Sequence, residues 1–199
     1  MGMKQYIKRG LKFVLHGVPE RKVYAQVSYL APNEMLRGRT ALITGGTSGI
    51  GYEIAKAYIN AGARVVITGR NEEKVKKACE TINKEVAHEG NVFGIAMDNT
   101  DVKSMPSKLQ DIVLLISEGH IDILVNNAGV VGGEISNCTE EMYDSILDTN
   151  LKGTFFLSRL VARYFVEHQI EGNILMMGSS SSLRPATSAY TLTKNALYG

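Results

Sequence analysis

The sequence predicts an α/β fold in which a parallel sheet is doubly wound, with helices on both faces. Three observations support this prediction. Short aliphatic runs alternate with longer segments of helical periodicity, a glycine-rich turn follows the first aliphatic run, and polar or charged residues follow the later ones. Strands that alternate with helices of this length form parallel sheets. Because ligands of such sheets bind beyond the carboxyl ends of the strands, we expect the functional residues at those ends.

The first unit consists of a predicted strand at residues 40–44, a glycine-rich turn at residues 45–51 and a helix. The apolar stripe of that helix carries Ile54, Ala55, Tyr58 and Ile59. Glycines allow a tight turn and a close approach of the backbone to a ligand, and the first N–H groups of a helix attract an anion. The residues predicted to bind a pyrophosphate are Gly45, Thr47, Ser48, Gly49, Ile50 and Gly51.

The spacing of this turn is G-x-x-x-G-x-G, which differs from the G-x-G-x-x-G of the usual dinucleotide fingerprint. No G-K-[ST] follows it, which argues against a P-loop that transfers phosphate. A glycine-rich turn that binds no cofactor is the alternative interpretation.

The second strand is predicted at residues 64–68 and is followed by Gly69 and Arg70. In dinucleotide-binding folds an acidic residue at this place holds the ribose 2′-hydroxyl, whereas an arginine accommodates a 2′-phosphate. Arg70 offers a guanidinium for a charge-assisted phosphate contact, and the strand end carries no carboxylate. We therefore predict NADP(H) as the cofactor in preference to NAD(H). An arginine in a solvated loop is the alternative.

The next elements continue the alternation. Asn71 is predicted to cap a helix over residues 72–88, and a third strand is predicted at residues 92–97. The residues of this helix that should face the core are Val75, Ala78, Cys79, Ile82 and Val86. The third strand ends in Asp98 and Asn99, which we expect near the adenine ring of the cofactor.

Two long helices and a fourth strand follow. Residues 101–118 are predicted to be helical, with Pro106 tolerated because it lies near the first turn. The fourth strand is predicted at residues 121–125. Thr139 is expected to open a long helix that runs to about Gln169.

After a fifth strand, predicted at residues 173–177, Tyr190 and Lys194 stand four residues apart in a segment of helical pattern. Residues at this spacing share one face of a helix. A nearby cation stabilises a phenolate and lowers the pKa of a phenol, which is otherwise too high for proton transfer at neutral pH. The pair suits a general acid/base, although a pair at this spacing on its own is more often an exposed helix face.

Taken as a set, these motifs resemble the short-chain dehydrogenase/reductase family over residues 38–199. The motifs that carry the resemblance are Thr44–Gly51, Asn126–Gly129, Asn150, the serines after the fifth strand, and Tyr190 with Lys194. The resemblance implies a Rossmann-like fold and an oxidoreductase that interconverts a carbonyl and an alcohol on a small-molecule substrate. It implies that Tyr190 transfers the proton, that Lys194 also holds the nicotinamide ribose, and that Asn150 anchors a water. The residues that it implies along the cofactor are Asn126, Ala128 and Gly129.

The resemblance also implies a serine hydroxyl that polarises the substrate. Its place after the fifth strand favours Ser179. The separation between Ser179 and Tyr190 is slightly shorter than is usual in the family, because the loop between them is compact. The alternatives for this role are Ser180, Ser181 and Ser182.

The composition is that of a single globular domain. A chain of 199 residues with 44% hydrophobic residues can bury one core, and no run of about 18 apolar residues suggests a transmembrane helix. Cys79 and Cys138 lack metal-like spacing, which predicts reduced thiols and a cytoplasmic protein. The four histidines are scattered, so we expect no metal site. We expect no nucleic-acid partner.

Residues 1–38 are expected to form a basic extension ahead of a dinucleotide-binding domain at residues 39–199. The extension holds seven basic and two acidic residues, whereas acidic residues outnumber basic ones in the rest of the chain. The segment Tyr6–Leu15 is basic and partly amphipathic, and Val23–Leu30 could pair as an added strand. A solvated or packing arm is the favoured interpretation, and docking to a membrane surface or a partner is the alternative.

The chain stops at Gly199, inside the helix that contains Tyr190. The resemblance implies further strands and a substrate-covering segment, so we expect a fold truncated after the fifth strand and the following helix. Ile174–Met177 would then be an apolar edge with unpaired backbone groups. We therefore expect a homo-oligomer, a dimer or a tetramer, with little reductase activity in this chain. The alternative functions are a non-catalytic dinucleotide-binding regulator and a truncated interaction module.

Overall fold

The structure, a computed structural model, describes residues 31, 34–86, 92–117 and 119–198. The predictions for residues 1–30, which include the amphipathic segment and the added strand, lie outside the described residues. The same holds for the predicted last turn of the second helix, at residues 87 and 88.

Within the described residues, five parallel strands form one sheet in the order β3-β2-β1-β4-β5. The strands are β1 (Thr40–Ile43), β2 (Arg64–Gly69), β3 (Val92–Ala96), β4 (Ile123–Asn126) and β5 (Asn173–Met176). The chain runs outward from β1 to β3 and then returns to β4 on the other side of β1. This order confirms the predicted doubly wound parallel sheet. It puts the switch point, where ligands of such sheets bind, between β1 and β4.

Helices connect the strands and cover both faces of the sheet. The α-helices of the described part are α1 (Gly49–Asn60), α2 (Glu72–Glu85), α3 (Met105–Leu115), α4 (Glu140–Leu147), α5 (Thr154–Glu167) and α6 (Ala189–Tyr198). Among these described helices, none combines the length and the apolar character needed to traverse a bilayer.

The two faces of the sheet bury two separate cores. Ala41 and Ile43 of β1 pack with residues of α1 and α2, whereas Leu42 packs with residues of α3 and α5. This alternation follows from the two-residue period of a strand. All three side chains are fully buried, and burial of a leucine or isoleucine contributes on the order of 1.5–3 kcal/mol. The central strand β1 therefore gives the glycine turn that follows it a fixed starting point.

The third helix begins later than predicted, at Met105 instead of residue 101. The side chain of Asp98 accepts hydrogen bonds from the backbone N–H and the hydroxyl of Thr100, both at 2.9 Å. Asp101 accepts one from the N–H of Ser104. Such local bonds hold the backbone in turns and compete with a helix, so the prediction of a start at residue 101 was wrong.

The long helix predicted from Thr139 to Gln169 is interrupted. Thr139 caps α4, as expected, but a π-helical turn at Asp148–Gly153 separates α4 from α5. At the end of this turn, a Cβ atom on Gly153 would collide with the backbone oxygen of Asn99. The π-helical turn joins two α-helices without a break in helical backbone, so a search for long helical segments did not reveal it.

Asp122, just before β4, joins the amino ends of three strands. Its Oδ2 accepts the N–H of Thr40 in β1 at 2.8 Å. Its main-chain oxygen accepts the N–H of Asn173 in β5 at 2.8 Å. Arg39 and His120 lie 3.5 and 3.1 Å from its Oδ1. Because this carboxylate is buried, its loss would leave the N–H of Thr40 without a partner.

We predict that Asp122→Ala lowers the free energy of unfolding by about 1–3 kcal/mol, the cost of leaving a buried donor unpaired. Chemical denaturation of the purified chain measures this difference. The matched control is Glu167→Ala, which breaks an ion pair with Arg163 whose side chains are about 60% exposed and should leave stability nearly unchanged. Equal stability of the two variants would contradict the prediction.

Candidate active site

A groove of about 380 Å³ lies at the carboxyl ends of β1, β2, β3 and β4, within the size range of small-molecule sites. The predicted cofactor residues that line it are Gly45, Thr47, Ser48, Ile50, Arg70, Asp98, Asn99, Ala128 and Gly129. The further lining residues are Thr68, Gly69, Met97, Asn127, Val130 and Thr149. The groove therefore collects most of the predicted cofactor residues from four separate parts of the chain.

The glycine turn after β1 depends on the absence of side chains. Gly45 and Gly49 have φ angles of +65° and +59°, which lie in the left-handed region that favours glycine. A Cβ atom on Gly45 would lie 2.9 Å from the Cα atom of Ala128. A Cβ atom on Gly51 would lie 2.5 Å from the oxygen of Gly45. Gly49 faces open space instead. Gly49 and Gly51 shape the turn without lining the groove.

In the described structure, no side chain of the N-cap residue caps the first N–H groups of α1. Ser48 is the N-cap residue, but its hydroxyl makes no capping hydrogen bond, and the first turn contains no acidic residue. The first N–H groups of a helix have no partner within the helix and carry a partial positive charge. Since Ser48 and Ile50 line the groove, this helix end is suited to an anionic group such as a pyrophosphate.

Asn127 and Thr44 join the glycine turn to the loop after β4. The side-chain Nδ2 of Asn127 donates to the backbone oxygens of Thr44 and Gly45 at 3.0 and 3.1 Å. The hydroxyl oxygen of Thr44 accepts the N–H groups of Asn127 and Ala128, both at 3.0 Å. The two loops that border the groove are thus held together by four hydrogen bonds.

Asn126, which the resemblance implied along the cofactor, is not among the residues that line this groove in the described structure. It is 4% exposed, and its Nδ2 donates to the hydroxyl of Ser158 in α5 at 2.9 Å. The side chains of Asn126 and Asn127 differ because successive residues at a strand end point in opposite directions. In this structure Asn126 binds the sheet to α5.

Two polar groups in the groove wall have no hydrogen-bond partner in the described part of the chain. These are the hydroxyl of Thr68, at the end of β2, and the side-chain Nδ2 of Asn99, after β3. Their residues are 1% and 5% exposed. Leaving a buried polar group unpaired costs free energy, so both are suited to a polar ligand. Arg70, two residues after Thr68, is exposed and also lines the groove.

Tyr190 and Lys194 lie in α6, at the far side of the loop after β4. The ammonium of Lys194 is 5.7 Å from the ring centre of Tyr190. It donates to the main-chain oxygen of Met177, just beyond β5, at 2.5 Å. Lys194 is 6% exposed, and this burial lowers the pKa of its amine below the ordinary value. Among the described residues, the oxygen of Met177 is the single acceptor for its three donors.

Asn150 is buried in the π-helical turn, and its side-chain amide makes three hydrogen bonds. Its Oδ1 accepts the N–H of Val130 at 2.7 Å. Its Nδ2 donates to the oxygen of Val130 at 2.9 Å and to the hydroxyl of Thr193 at 3.2 Å. Both protons of Nδ2 are engaged within the protein, so a water that donates to Asn150 would bind the main-chain oxygen or the second lone pair of Oδ1.

The serines after β5 form a short 3₁₀ turn at Ser180–Leu183. The hydroxyl of Ser179 caps this turn and lies 2.7 Å from the hydroxyl of Ser181. Ser180 is exposed, and the hydroxyl of Ser182 is buried without a partner in the described chain. The structure therefore pairs Ser179 with Ser181 and separates both from Ser180 and Ser182.

A larger groove of about 650 Å³ lies between α3 and α5. Most of its lining is aliphatic or aromatic, and its charged residues Arg163 and Glu167 pair with each other. It lacks convergent polar groups, so the smaller groove is the better candidate for a cofactor site despite its size. Within the described residues, no three His, Cys, Asp or Glu side chains are grouped as a metal site would require.

Comparison with known proteins decides the family. A family model described as short chain dehydrogenase matches residues 39–199. The chain belongs to the short-chain dehydrogenase family. It is thus a member of a family of oxidoreductases, and its Rossmann-like fold is the fold of that family.

Relatives and solved structures of short-chain dehydrogenases agree with this assignment. The chain is 36% identical to a sorbitol dehydrogenase from Cereibacter sphaeroides over 81% of its length. It is 31% identical to 3beta-hydroxysteroid dehydrogenase 2 from Eggerthella lenta over 84% of its length. A crystal structure of a short chain dehydrogenase from Bacillus anthracis superimposes with a TM-score of 0.74 and 28% identity over 81% of the chain. The matched part spans 61%, 64% and 66% of these three proteins, respectively.

Three residues that support the groove of this short-chain dehydrogenase were not predicted from the sequence. Asn127 and Thr44 stood inside the motifs that were quoted, yet only their neighbours were assigned to the cofactor. Thr68 was treated as part of a strand, although it is the last buried residue before Arg70. Position within a motif was the available clue for all of them, but the direction of each side chain required the structure.

We predict that Gly45→Ala weakens the binding of a nicotinamide dinucleotide to this short-chain dehydrogenase by at least about tenfold. The added Cβ atom would meet Ala128, and a left-handed φ angle costs a non-glycine residue on the order of 1–3 kcal/mol. Calorimetric titration measures the affinity. Gly38→Ala is the matched control, because Gly38 has a φ of +77° with nothing within 4 Å of its added Cβ. Equal effects of both substitutions would show that backbone strain, and not the contact at the groove, is responsible.

Proposed function

We propose that this protein is an NADP(H)-dependent oxidoreductase that interconverts a carbonyl and an alcohol on a small-molecule substrate. The observation that carries the proposal is the buried ammonium of Lys194, which lies beside Tyr190 with one acceptor for three donors. A buried cation with unused donors is costly in a purely structural role. It is suited to holding hydroxyl groups of a ligand and to stabilising charge on a neighbouring oxygen.

The residues present fit a dinucleotide. The uncapped start of α1 suits the pyrophosphate, and the unpaired groups of Thr68 and Asn99 suit the polar edges of the adenosine part. Gly45 lets the turn after β1 lie against Ala128, because a Cβ atom would not fit between them. When bound, the nicotinamide would supply or accept the hydride. In this proposal the unused donors of Lys194 hold the hydroxyls of its ribose.

Tyr190 moves the proton in the proposed reaction. In the direction of reduction, its hydroxyl gives a proton to the oxygen of the substrate, and negative charge develops on the phenol oxygen. The ammonium of Lys194 stabilises that charge because the pair lies on one helix face. Ser179 donates a hydrogen bond to the same substrate oxygen. The main-chain oxygen of Asn150 holds a water that returns the proton.

The preference for NADP(H) rests on Arg70. Its guanidinium is exposed at the wall of the groove, directly after β2, and no carboxylate stands at that strand end. A planar guanidinium can make two parallel hydrogen bonds to the 2′-phosphate of NADP(H). An acidic residue at this place would instead bind the 2′-hydroxyl of NAD(H). The hydroxyl of Thr68, two residues before Arg70, is a further polar group in the groove wall.

We predict tighter binding of NADPH than of NADH, and a smaller difference in Arg70→Ala, which removes a charge-assisted contact to the 2′-phosphate. Calorimetric titration with both cofactors measures the two affinities. The loss should be specific for NADPH, while NADH binding changes little. Lys74→Ala is the matched control, since Lys74 is an exposed cation in the first turn of α2 that does not line the groove. Wild-type protein that binds NADH as tightly as NADPH would refute the preference.

We predict that Tyr190→Phe abolishes turnover while dinucleotide binding persists, because only the proton-transferring hydroxyl is lost. Lys194→Met should weaken binding as well as turnover, because the amine has two roles. Steady-state kinetics with ketones and aldehydes, together with calorimetry, separate the two effects. A Tyr190→Phe protein that keeps a large part of its rate would show that another group moves the proton. Binding without any wild-type turnover would favour the non-catalytic alternative.

We further propose that the protein acts as a homo-oligomer. In the described sheet β5 is an edge strand, and its Leu175 and Met176 are 41% and 44% exposed. Exposed apolar side chains on an edge strand favour association.

We also propose that the protein acts in the cytoplasm, because its two free cysteines fit a reducing environment. We further propose that a domain boundary near residue 38 separates the basic extension from the dinucleotide-binding domain.

Sedimentation velocity should therefore give a mass larger than that of one chain, and Met176→Lys should shift the distribution toward the monomer. A charge at an edge disfavours strand pairing. Leu114→Lys is the matched control, because Leu114 is 77% exposed on α3, away from this edge. A monomeric wild-type protein would disprove the assembly.

A further inference from the structure

Five residues form a closed ring of hydrogen bonds around the start of α6. Asn150 holds both backbone groups of Val130 and donates to the hydroxyl of Thr193. That hydroxyl donates to the main-chain oxygen of Tyr190 at 2.7 Å. The N–H of Tyr190 in turn donates to the oxygen of Gly132. Gly132 lies two residues after Val130, so the chain itself closes the ring.

The ring connects three segments that take part in the proposed reaction: the loop after β4, the π-helical turn and α6. Val130 and Gly132 belong to the loop that borders the groove, Asn150 lies in the π-helical turn, and Tyr190 carries the phenol. Thr193 is the single hydroxyl through which the amide of Asn150 reaches α6 in the described structure. Without it, Asn150 would keep two of its three side-chain hydrogen bonds and lose the helix, so it would hold the loop at Val130 less firmly.

We propose that Thr193 is a positioning residue, which transmits the hold of Asn150 to Tyr190 and so fixes the phenol for proton transfer. This inference rests on the proposed function. Thr193 is 1% exposed and does not border the groove, so it acts through other residues and not on a ligand. Displacement of a reacting group by a fraction of an ångström is enough to slow a reaction strongly.

A local role is the alternative explanation. A threonine inside a helix often bonds to the oxygen three or four residues earlier and does nothing else. In Thr193, however, the same hydroxyl also accepts from Asn150, whose Nδ2 would otherwise have an unused donor in a buried place. The two bonds are compatible, because the hydroxyl oxygen accepts from Nδ2 of Asn150 while its proton is donated to the main-chain oxygen of Tyr190.

The test compares three variants of the full chain. Thr193→Val keeps the shape and removes the hydroxyl, and Thr193→Ser keeps the hydroxyl. Thr191→Val is the matched control, because Thr191 also uses its hydroxyl in α6. Its oxygen accepts the N–H groups of Thr187 and Ser188 at the helix start and makes no contact with Asn150.

The first measurement is amide hydrogen exchange by NMR at Val130, whose N–H binds Asn150. It needs neither ligand nor turnover. We expect exchange of this N–H to accelerate on the order of tenfold in Thr193→Val, since the ring is opened. Exchange should remain near the wild-type rate in Thr193→Ser and in Thr191→Val. Unchanged exchange at Val130 in Thr193→Val, or equal acceleration in Thr191→Val, would overturn the coupling.

The second measurement is steady-state kinetics. We expect kcat to fall by about tenfold or more in Thr193→Val, while the KM for the cofactor changes by less than about threefold, and Thr193→Ser to restore kcat. An equal loss in Thr191→Val would mean that helix stability alone is responsible. A wild-type protein without turnover would refute the proposed function and the role of Thr193 in it. The exchange experiment would still decide whether the ring exists.

Discussion

The side-chain amide of Asn127 is the contact on which the arrangement of the groove depends. It donates to two successive backbone oxygens of the glycine turn, at Thr44 and Gly45. The hydroxyl of Thr44 returns two contacts to the loop after β4. The turn and the loop follow neighbouring parallel strands, β1 and β4, which have no direct chain connection. Because this contact fixes their spacing, the start of α1 and the residues after β4 face one another across the same groove.

The site is built at some expense of stability. The hydroxyl of Thr68 and the amide of Asn99 are buried without partners in the described structure, and the amine of Lys194 is buried with one. Burial lowers the pKa of Lys194 relative to the unfolded chain. The unfolded chain therefore binds this proton more tightly, so the amine weakens folding below its lowered pKa. This loss diminishes as the pH rises through the lowered value. Such costs are common where a ligand completes the set of contacts.

The order of strands and helices was predictable from the sequence because aliphatic runs and glycine turns report buried strands and their ends. The same regularity identified the groove, since polar residues after parallel strands converge at one edge. The late start at Met105 was not predictable, because it depends on side-chain bonds of Asp98 and Asp101 that compete with a helix. The burial of Asn126 was not predictable either, because membership in a motif does not specify the direction of a side chain.

The missing side chain of Gly153 has a consequence for how such a site can change. The backbone oxygen of Asn99 occupies the space that a Cβ atom would need. Asn99 borders the groove after β3, and Gly153 ends the π-helical turn that carries Asn150. The groove wall after β3 and the turn that carries Asn150 therefore meet through bare backbone, with no flexible side chain between them to absorb a displacement. A mutation that reshapes the loop after β3, where we expect the adenine ring, would also push on the turn that carries Asn150. Changes in the loop after β3 and in the turn at Asn150 would then be linked during evolution, and a change in one would require compensation in the other.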